Sequence, residues 1–284
     1  MARTGRQGGD GRPPRAKGPH SHSPRTPAPR APSRRGPPAE ERTKTFRISG
    51  LPAVAALFAR DPGRVERLFF DDRMKTLTGD FCAVMAASRR PYRLVPTDEL
   101  DRIAGSALHG GIVAVAPPRP VLPFDTEETK RWAAAGRPLL LLDGVGNPHN
   151  LGAIVRTMAF FGMDRLVISD HPGQAAPSEA AYRVAEGGFE HVTLYRAERF
   201  ATQLKRLSPH YRVVGTALGD HRPLGRLKGP PPAALVLGNE EEGLPPATLR
   251  ACAELATIQG SGLVQSLNVA ATAAILVHAM AGPG

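Results

Sequence analysis

Cysteine is nearly missing from this chain: Cys82 and Cys252 are the only two in 284 residues. Two such distant thiols make neither a disulfide framework nor a metal site, and both are expected to be reduced, buried and inert. Long apolar runs are missing as well. The longest, Val269 to Ala281, falls well short of the ~18 residues that suggest a membrane span. No apolar core of a signal peptide stands near the N-terminus, and Arg34-Arg35 is followed by no hydrophobic stretch, so a cytoplasmic location is expected. There is no G-x-G-x-x-G after a first strand, no Walker loop and no nucleophile elbow, which argues against the familiar phosphate-binding and serine-hydrolase chemistries.

Basic charge, by contrast, is concentrated at one end. The net charge is +11, and residues 1–45 carry eleven Lys and Arg against Asp10, Glu40 and Glu41, which leaves only +3 for the other 239 residues. This Pro-, Gly- and Arg-rich segment has almost nothing apolar to offset the entropy of ordering, so it reads as a disordered basic tail. Such a tail adds salt-sensitive attraction to phosphates, or serves only as a solubilising extension.

With 41% apolar residues, the rest of the chain suffices for two modest domains. Helical and strand periodicities alternate through residues 46–116, a small α/β domain beginning with a helix at Pro52 to Ala59. Prolines at 117, 118, 120 and 123 mark a linker over residues 117–137, with a short helix near Glu127 to Ala135. From Pro138 to the end, strands alternate cleanly with helices, from strand Leu139 to Asp143 through to helix Leu267 to Met280. That pattern implies a mostly parallel sheet covered on both faces, with ligands bound beyond the carboxyl ends of its strands.

Three polar loops fall at those strand ends. After Asp143 comes Gly144-Val145-Gly146-Asn147-Pro148-His149-Asn150, where Asn150 is placed to cap a helix carrying Arg156 between apolar neighbours. After Leu237 come Gly238, which permits close approach to the backbone, and Glu240, a carboxylate at a strand end. After Ile258 a Gly-rich loop leads to Ser266, Leu267 and Asn268, with Ser266 the expected N-cap of the last helix. Each loop taken singly has an ordinary structural explanation as a cap or a solvated charge run; three together with matching chemistry describe a site.

Taken together, Asn147-Pro148-His149-Asn150-Leu151-Gly152-Ala153-Ile154-Val155-Arg156, Leu237-Gly238-Asn239-Glu240-x-x-Gly243-Leu244 and Ser266-Leu267-Asn268-Val269 resemble the three motifs of the SpoU (TrmH-type) RNA 2′-O-ribose methyltransferases of the SPOUT class. The likeness runs from about Pro138 to the C-terminus, covering residues 138–284. Residues 46–116, with His109-Gly110-Gly111-Ile112 near their end, resemble the L30e-like RNA substrate-binding domain found in ribosomal-RNA members. The resemblance implies a C-terminal trefoil knot, a rare exception to unknotted topology. It implies S-adenosyl-L-methionine as cofactor, contacted by Gly238, Ile258 and Leu267, and a catalytic set of Asn150, Arg156, Glu240, Ser266 and Asn268. It implies RNA (rRNA or tRNA) as substrate and a homodimer whose sites are completed across the interface. Many members have Asp where this chain has Asn147, so the first loop lacks a carboxylate.

A guanidinium stays protonated, so Arg156 is expected to orient the ribose and its phosphate and to stabilise charge on the oxygen, with Glu240 fixing the loop and Arg156. The rival reading is a dimeric protein that binds RNA without chemistry on the same fold.

Overall fold

The computed structural model describes residues 44–219, 221–223 and 230–281. The tail expected over residues 1–45 therefore lies, but for its last two residues, outside the described residues.

The first sheet is built from β1 (Phe46–Ser49), β2 (Arg67–Phe70), β3 (Tyr92–Leu94) and β4 (Ile112–Ala116) in the order β1-β4-β2-β3. Its helices are α1 (Leu51–Arg60), α2 (Gly79–Ala87) and α3 (Thr97–Ala104). Strand β4 runs antiparallel to both β1 and β2, and β3 lies parallel to β2. Strand β1 was not legible in the sequence, because four residues beside an Arg- and Pro-rich stretch give no readable alternation. It forms because Phe46 and Ile48 turn inward onto α1, burying both side chains.

The second sheet follows. Its strands and helices are β5 (Leu122–Pro123), α4 (Thr126–Ala134), β6 (Leu139–Asp143), α5 (Pro148–Phe160), β7 (Arg165–Ser169), α6 (Glu179–Ala185), β8 (Thr193–Ala197) and α7 (Phe200–Leu207). After them come β9 (Arg212–Thr216), β10 (Arg222–Pro223), β11 (Ala233–Gly238), α8 (Pro246–Leu249), β12 (Glu254–Thr257) and α9 (Val269–Ala281). The order is β10-β12-β9-β11-β6-β7-β8-β5, and the strand pairings are parallel. Strand β5 adds an edge to this sheet from within the proline-rich part of the expected linker, and α4 is the short helix expected after it.

Burial on both faces explains the parallel arrangement. In β6, Leu140 and Leu142 enter one core while Leu139 and Leu141 enter the other, and β11 splits Leu235 and Leu237 from Ala234 and Val236 in the same way. A fully buried leucine is worth about 1.5–3 kcal/mol, so β6 and β11 have no exposed face to spare. The first of these cores continues from Leu140 and Leu151 through Tyr182 and Phe189 into Phe46, Val54 and Leu57 of the small sheet.

Neither cysteine is fully buried; both are half-exposed and free. Burial, with Asp143 nearby, pushes the Cys252 thiol up to about 12, which keeps it protonated and unreactive at neutral pH. Among the described residues, no helix is long and apolar enough to cross a membrane.

Candidate active site

The order in which strands are added to the sheet reverses at β6. Moving from β6 through β7 to β8 the chain winds one way, whereas β11, β9 and β12 lie on the other side. The crevice between β6 and β11 is thus the switch point where open parallel sheets hold ligands. Register sets Asp143 beside Gly238, so the loops after the two strands leave the sheet side by side.

The first loop is tightly held. Gln174, in the turn after β7, accepts hydrogen bonds from the amides of Gly144 and Val145 at 3.0 and 3.1 Å and donates back to the Val145 carbonyl at 3.0 Å. Asn239 Nδ2 donates to the Gly144 carbonyl at 3.0 Å. Helix α5 starts at Pro148, whose fixed φ and missing N–H suit the first helical position. Its cap is consequently Asn147, whose side chain accepts from the His149 amide at 2.8 Å, and not Asn150 as expected. Freed from capping, the Asn150 side chain points its amide at Glu240 Oε1 and accepts from Asn268 Nδ2 at 3.2 Å.

The second loop folds back on itself. Asn239 and Gly243 exchange backbone hydrogen bonds at 3.0 Å in both directions, and Asn239 Oδ1 accepts from the amides of Glu241 and Glu242. A Cβ on Gly238 would lie 2.4 Å from the Gly243 carbonyl carbon and oxygen, so the close approach that requires this glycine is made by the protein's own backbone.

The third loop runs exposed from Gly260 to Asn268, with Leu263 89% and Val264 73% exposed. Asn268 rather than Ser266 caps α9, accepting from the Ala270 amide at 2.9 Å. The helix accordingly begins two residues later than expected.

Between the second and third loops and the end of β9 lies a cavity of about 440 Å³. Leu237, Ala256, Ile258 and Val269 give it apolar walls, and Gly238, Glu240, Ser266 and Leu267 also line it. Among the described residues, the lining holds two carboxylates, Glu240 and Glu241, and neither lysine nor arginine. This chemistry suits a cationic or zwitterionic organic ligand and opposes a phosphate. Five of the eight expected site residues line the cavity, and Asn150 and Asn268 join it through Glu240.

Arg156 is the exception. It is 56% exposed and pairs with Glu186 Oε1 at 2.9 Å, with no contact to Glu240 or Asn150 within this chain. The expectation that Glu240 fixes Arg156 is not met here, because Arg156 lies six residues beyond Asn150 on α5 and therefore faces about 120° away. Asn239 and the loop after Ala217 stand where the strand-end pattern expects a site, whereas Gln174 was not legible in the sequence. Gln174 stands in a Pro-Gly turn that looks like any surface loop, and only the fold brings it to Gly144.

The fold and cavity define an α/β protein with a small-molecule site at the carboxyl ends of a parallel sheet. Comparison with known families is more specific. Residues 137–278 match the SpoU rRNA methylase family, and residues 47–122 match the RNA 2′-O ribose methyltransferase substrate-binding domain. The chain is 33% identical over 242 residues to the 23S rRNA (guanosine-2′-O-)-methyltransferase RlmB of Acinetobacter baylyi, spanning 81% of this chain and 94% of the relative. It is 32% identical over 241 residues to YfiF of Escherichia coli O157:H7, described as an uncharacterised tRNA/rRNA methyltransferase, spanning 84% of this chain and 68% of the relative. The fold resembles that of an AdoMet-bound rRNA methyltransferase from Sinorhizobium meliloti, with a TM-score of 0.65 at 22% identity, covering 84% and 87% of the two chains. This chain belongs to the SpoU rRNA methylase family.

Proposed function

We propose that this protein is an S-adenosylmethionine-dependent methyltransferase acting on a ribose 2′-hydroxyl of structured RNA, ribosomal or transfer. The observation that carries it is the cavity beside Glu240: apolar walls, backbone groups and carboxylates, with no basic residue among the described lining residues, fit a cationic sulfonium cofactor. Its volume lies within the range of small-molecule sites, about 300–1,000 Å³. Gly238, Ile258 and Leu267 would hold the cofactor, and Ser266 and Glu240 face the same space. When bound, S-adenosylmethionine supplies an electrophilic methyl group on sulfur.

The protein's own task is to aim one hydroxyl and manage its charge. The run from Asn268 through Asn150 to Glu240 is a fixed set of donors and acceptors that locks the Glu240 loop against α5. Such pre-set dipoles cost no reorganisation during reaction. Arg156, a permanent cation, orients the ribose and its phosphate and stabilises negative charge developing on the oxygen.

Because Arg156 faces away from its own chain's cavity, it serves the site of a second copy, and the protein acts as a homodimer. Two exposed apolar side chains support this arrangement: Phe160 on α5 is 82% exposed, and Ile275 on α9, which packs against α5, is 42% exposed. A C-terminal trefoil knot is part of this reading, on the motif resemblance of residues 138–284. The small domain over residues 46–116 selects the RNA and the catalytic domain spans 138–284. The basic residues of the 1–45 segment add affinity for phosphates.

Titration calorimetry with S-adenosylmethionine, paired with transfer of labelled methyl to rRNA and tRNA transcripts, tests the proposal. Micromolar cofactor binding with methylated ribose is expected; binding of RNA without any cofactor binding would favour a non-catalytic dimeric RNA-binding protein.

A further inference from the structure

One short turn joins three parts of the molecule. Residues 186–190 follow α6, and Glu186 holds Arg156 at 2.9 Å. Next to it, Gly187 has φ +92, and a Cβ there would meet Ala56 Cβ at 2.7 Å and the Pro52 carbonyl at 3.1 Å, so α1 of the small domain is packed directly on this turn. At its end, Glu190 is only 2% exposed. The Arg64 guanidinium of the small domain grips its carboxylate in a two-pronged pair at 2.9 and 2.7 Å, and also donates to the Pro117 carbonyl at 3.0 Å. Arg119 donates to the Glu190 carbonyl at 3.0 Å from the other side.

A second grip lies beside the first. Strand β1 is an edge strand, and the outward amide of Arg47 donates to Glu179 Oε1 on α6 at 2.8 Å while its guanidinium holds both carboxylate oxygens of Glu179. Phe46 meets the Tyr182 ring edge-on at 5.5 Å, and Tyr182 stacks on Phe189 at 4.4 Å. Bidentate pairs fix direction as well as distance, and a glycine-permitted contact leaves no slack for rocking.

We propose that the 186–190 turn is a rigid junction that fixes the RNA-recognising sheet at one distance and angle from Arg156, and thereby selects which ribose reaches the active site. The inference rests on the RNA-methylation reading above and assigns Arg64, Glu190, Arg47 and Glu179 as positioning residues. They touch neither cofactor nor ribose. They set the span between the surface that grips the RNA and the helix that carries Arg156.

The test uses the full chain and two kinds of variant. Arg64→Met with Glu190→Leu removes both buried charges together, so that neither is left unpaired to unfold the protein. Glu179→Ala frees the β1 edge, and Arg47→Glu with Glu179→Arg rebuilds that exposed pair in reverse. Hydrogen exchange of the Arg47 amide reports the junction, and mapping of 2′-O-methylation along unmodified 23S rRNA and tRNA transcripts reports its consequence. The wild-type amide is expected to be protected. In the first two variants protection should fall, and methylation at the preferred ribose relative to all others should drop by about 10²-fold, with cofactor affinity unchanged. The charge-reversed pair rebuilds the ion pair but not the acceptor for the residue-47 amide, because a guanidinium only donates, so it should recover the preferred ribose while that amide stays unprotected. An unprotected Arg47 amide in the wild type, or either of the first two variants losing protection yet keeping its preferred ribose, would overturn the proposal. A wild-type protein that binds cofactor but methylates neither RNA overturns the underlying reading, while the exchange data still decide whether the junction is rigid.

Discussion

The loop after β12 lines the cavity and the loop after β6 meets it through the bond from Asn150 to Glu240, yet the two loops are held in opposite ways. The 144–150 loop is tied by Gln174, Asn239 and its own Asn147 cap before any ligand arrives. The 260–268 loop is exposed throughout, and its one bond to itself is the Leu263 amide to Ser261 Oγ at 3.4 Å. Groups that stabilise charge in a transition state gain from being fixed in advance, whereas a segment that wraps a ligand must open to admit it. On the function proposed above, the fixed first loop suits chemistry, and the exposed part of the third, before Ser266, suits capture.

Removing a charged group that flanks the first loop, Arg156 on α5 or Glu240 in the second loop, should have the largest effect. Arg156→Ala or Glu240→Ala is expected to lower methyl transfer by about 10²–10³-fold, the scale for losing one pre-set charge stabiliser, measured as labelled methyl incorporated into RNA. If the site is shared between two copies, mixing these two inactive proteins and allowing subunits to exchange should restore about a quarter of wild-type activity, since half of the dimers are mixed and each has one intact site. No recovery after verified exchange would place Arg156 in its own chain's site.

Loosening the first loop without touching its chemistry should cost less. Gln174→Leu removes the hydrogen bonds to Gly144 and Val145 and is expected to reduce kcat by about 10-fold to 10²-fold, with the cofactor Kd changed by less than threefold. An equal fall in cofactor affinity would mean that the two loops act as one. Sharpening the comparison from the other side, saturating S-adenosylmethionine should slow hydrogen exchange across 260–268 strongly and across 144–150 little. The smallest effect concerns the basic N-terminal segment: deleting residues 1–45 should leave kcat unchanged and flatten the salt dependence of RNA binding, read as the slope of log K against log salt.

The alternation of strands and helices, the parallel sheet and the three polar loops were legible because they rest on local patterns. Runs such as Leu139 to Leu142 can only be buried on both faces, and Gly-rich punctuation at their ends can only be loops. The capping roles were less legible. Asn150 and Ser266 are good caps in isolation, but Pro148 fixes one helix start and Asn268 supplies the other, so both side chains are released toward the site. The tie from Gln174 to Gly144 spans thirty residues, and no spacing rule reaches that far.

Residue type and local order were enough for the family, the sheet and the chemistry of the loops, because backbone preference and side-chain polarity act over a few neighbours. Which of those groups meet is a different matter. That Asn150 bridges Glu240 and Asn268, that Arg156 turns to Glu186, and that Glu190 fastens one sheet to another depend on helices crossing and strands pairing across 30 to 126 residues of chain. Such contacts are set by packing two cores at once, and packing is a property of the whole fold rather than of any segment within it.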